Sequence, residues 1–91
     1  LRSVFMKGIA VAALEALAAA REAGVEGRVR ADIAGVLGEP LLERLLEGSQ
    51  AHAARRVDEM EAAAAYVREL GVEPRVAVAA AEWLAQLRDS G

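Results

Sequence analysis

Between residues 4 and 20 only Lys7 and Glu15 carry a charge. Read as a helix, this stretch is apolar around nearly its whole circumference. Such a helix has to be covered on most sides, and the rest of a 91-residue chain can hardly enclose it. The chain opens on Leu1-Arg2-Ser3 without an initiator methionine, which reads as a cut. The expectation is one piece of a larger, dimeric protein with a long, largely buried first helix.

Bulk properties narrow the class. The length allows one domain over residues 1–91 and no boundary inside it. Without cysteine, neither a disulfide framework nor a thiolate zinc site is available, and a cytoplasmic location fits. A net charge of −3 with interspersed signs provides no basic face for nucleic acid. The apolar run 8–14 is short and alanine-rich for a bilayer span, and Glu15 interrupts its continuation, so no membrane partner is expected. A signal peptide is disfavoured because the pattern continues as an amphipathic helix past Glu22.

Alanine and leucine dominate, threonine and asparagine are absent, and no stretch alternates like a strand. The fold class is all-α, a bundle of about five helices. The first helix runs over about 3–23, with Ser3 as N-cap and Gly24 as stop. The second covers about 28–37 and ends at Gly38. Pro40 suits the first turn of a third helix, whose Leu41, Leu42, Leu45 and Leu46 make an apolar face. Gly48-Ser49 is a break or a kink, Ser49 being able to cap the next helix. The fourth helix spans 50–70, closed by Gly71, with the core stripe Ala53, Val57, Met60, Ala64 and Val67. Pro74 opens a fifth helix to about Arg88, with Val76, Ala80, Trp83 and Leu87 on one face. Each alanine buries little area, so the core is thin and gains from a neighbouring domain or subunit.

Two groups of residues could carry chemistry. Lys7 is the only lysine beside ten arginines, and Ser3, Lys7, Val11 and Leu14 share one helical stripe. A desolvated lysine can serve as acid, base or anion anchor. Equally, its head can snorkel to water. On the fourth helix His52, Arg56 and Glu59 recur at helical spacing with Arg55 adjacent, away from the core stripe. Guanidinium groups beside an orienting carboxylate suit a substrate carboxylate or phosphate. The plainer alternative is a solvated face with Arg55–Glu59 as an i, i+4 pair. A metal site at His52 is disfavoured because the chain has no second histidine. No glycine-rich phosphate loop, nucleophile elbow or metalloprotease motif occurs, and Gly24-Val25-Glu26-Gly27 is a turn with no strand before it. Trp83 and Tyr66 read as core or interface aromatics.

Three stretches carry a family resemblance: residues 1–8 (LRSVFMKG) followed by Leu14-Glu15-Ala16-Leu17, residues 51–60 (AHAARRVDEM) and residues 70–74 (LGVEP). Together they resemble the C-terminal domain of NAD(P)-dependent dehydrogenases of the 6-phosphogluconate and β-hydroxyacid dehydrogenase superfamily, in particular bacterial proteins described as phosphogluconate dehydrogenases. The resemblance covers nearly the whole chain. Its motifs are moderately specific in combination and weak singly.

That resemblance implies an N-terminal Rossmann domain upstream holding NAD or NADP, with this helical domain completing the substrate site and forming a homodimer. It implies a catalytic lysine just before Leu1, leaving no catalytic residue in this chain. Ser3 takes the place of the family's asparagine, a departure from the usual substrate contact, and Lys7 faces the cleft one turn on. The family's Lys-Asp pair falls at Asp58-Glu59. The acid is kept as Glu59, and Arg55 or Arg56 stands in for the lysine. The implied substrate-binding set is Ser3, Lys7, Arg55, Arg56 and Glu59. The implied activity is hydride transfer between nicotinamide and a small hydroxy acid, with this fragment inactive alone and binding no cofactor or metal. The competing expectation is a free-standing helical interaction or structural module.

Overall fold

The computed structural model describes residues 1–90. Five helices succeed one another: α1 Arg2–Ala23, α2 Glu26–Leu37, α3 Glu39–Ala51, α4 Ala53–Glu69 and α5 Arg75–Ser90. Among the described residues there is no strand, so the chain is an all-α bundle.

Its firmest unit is the pair α4–α5. The turn between them rests on Gly71, whose φ of 85° lies in the left-handed region glycine tolerates. Gly71 N–H donates to the Arg68 carbonyl at 3.0 Å and Val72 N–H to the Val67 carbonyl at 3.2 Å. These two bonds form a Schellman motif, which satisfies the last carbonyls of α4. Buried Pro74 then precedes α5, and its carbonyl accepts from Val78 N–H at 3.0 Å. Val57, Met60, Ala80 and Leu84 form the core between the two helices.

Several expectations need correction. On α5 the buried residues are Ala77, Ala80 and Leu84, a face rotated by about one residue from the expected one. Ala80 alone is common to both. Small side chains let α5 approach α4 closely, which moves Trp83 and Leu87 to the flank and leaves Val76 exposed. The expected α4 stripe is buried at Ala53, Val57, Met60 and Ala64 but only partly at Val67.

Ser3 does not cap α1. The helix begins at Arg2 with Leu1 in the cap position and no side-chain bond. A second Schellman turn at Gly24 (φ 78°) has Val25 N–H donating to the Ala20 carbonyl at 2.9 Å. It feeds straight into α2, which therefore starts at Glu26 and not near Arg28.

α3 runs through Gly48-Ser49 without a break. Ser49 is buried, and its hydroxyl donates to the Leu45 carbonyl one turn back at 2.8 Å, so it caps nothing. The interruption falls at His52, where φ −125° and ψ 25° redirect the chain into α4. Serine back-bonding of this kind favours a bent helix.

α1 is also less enclosed than its composition asks. Only Ala10, Ala13, Leu17 and Ala20 are buried, a single strip at helical spacing against the other helices. Leu1 and Phe5 are about two-thirds exposed, at 66% and 67%. Five helices of this size offer α1 one inner face and no cover for its outer one. By length and apolar character α1 would also suffice to cross a bilayer, which corrects the reading of its apolar run as too short. A helix with one face packed in a bundle meets the same criterion.

Candidate functional site

Three helices meet at a depression of about 210 Å³ lined by Arg2, Met6, Lys7, Leu41, Arg44, Leu45 and Arg56. Arg2 and Lys7 come from the first two turns of α1. Arg44 projects from α3 one residue before buried Leu45. Arg56 stands on α4 between the core positions Ala53 and Val57, which tilts its stem inward. Four cations thus share one opening, and no carboxylate lines it.

The ion pairs among the described residues are Arg21–Glu26, Arg30–Glu39, Arg55–Glu59 and Arg88–Asp89. None of the four cations in the depression takes part in one, although the chain holds 14 acidic residues. The Arg56 Nε is buried and has no hydrogen-bond partner. The guanidinium lies against α3 at Gly48, where an added Cβ would come within 2.8 Å of both terminal nitrogens. Beneath the site, α1 presents its N-terminal end with no acidic residue in its first turn. The dipole of that end adds to the positive field.

Of the five site residues named from sequence, the structure brings Lys7 and Arg56 together in this depression. Ser3 is partly buried on the first turn of α1 and is not in the lining. Arg55 and Glu59 lie elsewhere on α4, exposed and paired with each other at 3.5 Å. The expected helix-four cluster is therefore divided. Arg56 turns toward α3, while His52 is exposed at the α3–α4 junction, and among the described residues no three His, Asp or Glu side chains gather to hold a metal. Arg2 and Arg44 were missed. Arg2 lies in the opening stretch 1–8 without a role attached to it, Arg44 lies in no motif, and only packing of α1 on α3 makes them neighbours.

Two ion pairs show shifted titration. The Arg21 guanidinium hydrogen-bonds the Glu26 carboxylate at 2.8 Å and lowers its pKa, and Arg88 does the same to Asp89. Both pairs lie at the surface, and none of their residues lines the depression.

The outer face of α1 is apolar. One hollow there is lined by Phe5, Ile9, Ala12 and Val76 among others, and a second by Ile9, Ala12, Ile33 and Val36. Sharing Ile9 and Ala12, they make a continuous surface across α1.

Compared with known proteins, residues 20–87, about three quarters of the chain, match the family model described as Domain of unknown function (DUF1932). No curated protein and no solved structure matches.

Proposed function

The chain belongs to the DUF1932 family, and from that premise we propose that it is the C-terminal, substrate-binding and dimerisation domain of a nicotinamide-dependent cytoplasmic oxidoreductase acting on a hydroxy acid. The observation that carries the reading is the presence of Lys7 and Arg56 in one unpaired basic depression. Both were named as anion contacts from sequence, and they come from helices far apart in the chain. The resemblance of residues 1–8, 51–60 and 70–74 to the 6-phosphogluconate and β-hydroxyacid dehydrogenases supports it as well.

In this reading the basic residues grip and orient the acid group of the substrate through charge-assisted hydrogen bonds. Proton abstraction falls to a lysine upstream of Leu1. NAD or NADP accepts hydride on a separate Rossmann domain. Gly24 and Val25 join α1 directly to α2, and no strand among the described residues leads into a glycine loop, so this reading assigns the dinucleotide to that separate domain. The outer face of α1, with Phe5 and Ile9 at its centre, would be covered in a homodimer. A continuous exposed apolar surface is normally an interaction site. The same face favours the second reading, a free-standing helical interaction module.

Steady-state kinetics of the full-length protein with NAD or NADP and a panel of small hydroxy acids provide the test. Arg56→Ala is expected to raise KM for the acid about tenfold or more, the scale of one lost charge-assisted contact, without loss of helicity. An unchanged KM would return Arg56 to a structural role. Absence of any nicotinamide-linked oxidation would favour the interaction module.

A further inference from the structure

A second hollow of about 300 Å³ lies where α1, α2, α3 and α5 converge. No residue of the basic depression lines it. The two sites belong to opposite ends of α1, Lys7 and Arg21 being about four turns apart, roughly 20 Å at 1.5 Å per residue. Leu14, Leu17, Leu46 and Leu87 give the hollow apolar walls. Arg21, Glu26, Arg30 and Gln50 bring polar groups, and Trp83 completes the lining. Apolar walls with a few polar groups, at this volume, are the make-up of a small-molecule site.

Trp83 singles this hollow out. Its Nε1 is buried and has no hydrogen-bond partner, a condition that among the described residues only Arg56 Nε shares. An indole N–H can only donate, and a buried one normally meets an acceptor. Left unmatched, it forfeits the water it held in the unfolded chain, so the group calls for an acceptor from outside the protein. Trp83 also borders another hollow, toward Glu15 and Arg75. The balance of donors decides between the two. One guanidinium faces one carboxylate in that other lining, whereas here two guanidiniums and an amide stand against the single carboxylate of Glu26. A guanidinium has five N–H donors, and the Nη2 bond from Arg30 to Glu39 at 2.7 Å leaves others for a second oxygen.

We propose that this hollow binds a small monocarboxylate with an apolar tail. The carboxylate accepts from the Trp83 N–H, Arg30 and Gln50, and the tail lies on Leu14, Leu17, Leu46 and Leu87. A carboxylate only accepts, so it answers a donor-rich lining without adding an unmatched donor of its own, and its bonds from a guanidinium are charge-assisted. A single negative charge suits a lining of two cations and one anion, where a dianion would press harder against Glu26. At about 30 Å³ for each water-sized group, 300 Å³ takes an acid of about ten non-hydrogen atoms. The site is separate from the oxidoreductase reading and stands without it.

Trp83 is the only tryptophan, so intrinsic fluorescence reports on the hollow directly. Titration with octanoate is expected to change the emission saturably. Its affinity should exceed at least about tenfold that of acetate, which lacks the tail, and that of octylammonium, which reverses the charge. Arg30→Gln is expected to weaken octanoate about tenfold, the scale of one charge-assisted contact. Trp83→Phe keeps an aromatic ring and removes the N–H, and in titration calorimetry it is expected to bind octanoate about fivefold more weakly. Melting curves separate lost binding from lost fold, and Arg30, on the rim of the hollow, keeps the test open should Trp83→Phe unfold. Absence of saturation overturns the proposal, the indole N–H then meeting only water. Equal affinity for octanoate and octylammonium overturns it too, because the hollow would then select apolar length alone. An Arg30→Gln variant that binds like the parent has the same force.

Discussion

The guanidinium of Arg56 turns its Nη1–Nη2 edge to Gly48, so closely that a Cβ there would meet both nitrogens at 2.8 Å each. The contact couples α4 to α3 at the mouth of the basic depression. It also accounts for the partly buried state of a residue that helical spacing alone assigns to the solvated side of α4.

Arg56→Lys separates charge from shape. The ammonium keeps the charge but loses the two-nitrogen edge set against Gly48 and the planar fork that suits an acid group. KM for the acid is expected to lie between those of the parent and Arg56→Ala in the same steady-state kinetics. Parity with the parent would mean that charge alone matters.

Binding governed by four cations should weaken with salt. Raising ionic strength from about 0.05 M to about 0.5 M shortens the screening length severalfold and is expected to raise KM for the acid by about an order of magnitude. Steady-state kinetics of the full-length protein at the two salt concentrations check it.

The α4–α5 core carries the stability. Leu84 and Met60 are fully buried, at 1% and 0% exposure, and truncation of either to alanine should cost about 2–5 kcal/mol. For a domain of this size that lowers Tm by about 10 °C or more. Ser49→Ala removes one buried hydroxyl bonded to a carbonyl that keeps its helical partner, and a loss of only about 1 kcal/mol is expected. Thermal melts monitored by circular dichroism measure all three.

The acid limb of stability has a fixed sign. Glu26 and Asp89 have lowered pKa values because Arg21 and Arg88 hydrogen-bond their charged forms. A depressed carboxylate stabilises the fold above its unfolded-state pKa, and that contribution disappears as pH falls through the lower folded-state value. Glu26→Gln should therefore lower Tm slightly at neutral pH and converge with the parent in acid. Both pairs are exposed, so the difference stays small and shrinks further in salt. Melting curves across the acid range test it.

If α1 meets a second copy, a charge in the middle of its outer face should prevent it. Ile9 lines both hollows on that face. Ile9→Asp is expected to turn a dimer into a monomer in analytical ultracentrifugation while leaving helicity unchanged. A parent chain that sediments as a monomer removes this part of the proposal.

Much of the fold was legible because glycine and proline punctuate it. Gly24, Gly38 and Gly71 all adopt positive φ at helix ends, and Pro40 lies in the first turn of α3. Periodicity found the inner face of α4, where bulky Val57 and Met60 stand out among alanines. It failed on α5, where alanines fill several faces and Trp83 drew the reading one residue off the packed side. The α3–α4 junction was misplaced because Gly48 looks like a breaker, whereas its missing side chain makes room for Arg56. The basic depression was half legible. Lys7 and Arg56 stood out by their surroundings, but Arg2 and Arg44 become neighbours only through three-helix packing, which no local pattern records.

α2 has no buried residue, and Val36 on its surface is 85% exposed. It hangs between two glycines of positive φ, Gly24 and Gly38, like a panel on two hinges. Its amide hydrogens should therefore exchange with solvent through a local opening that leaves α4 and α5 closed. Any molecule that covers Ile33 and Val36 would slow that exchange first, making α2 the part of the chain where an encounter becomes visible as time.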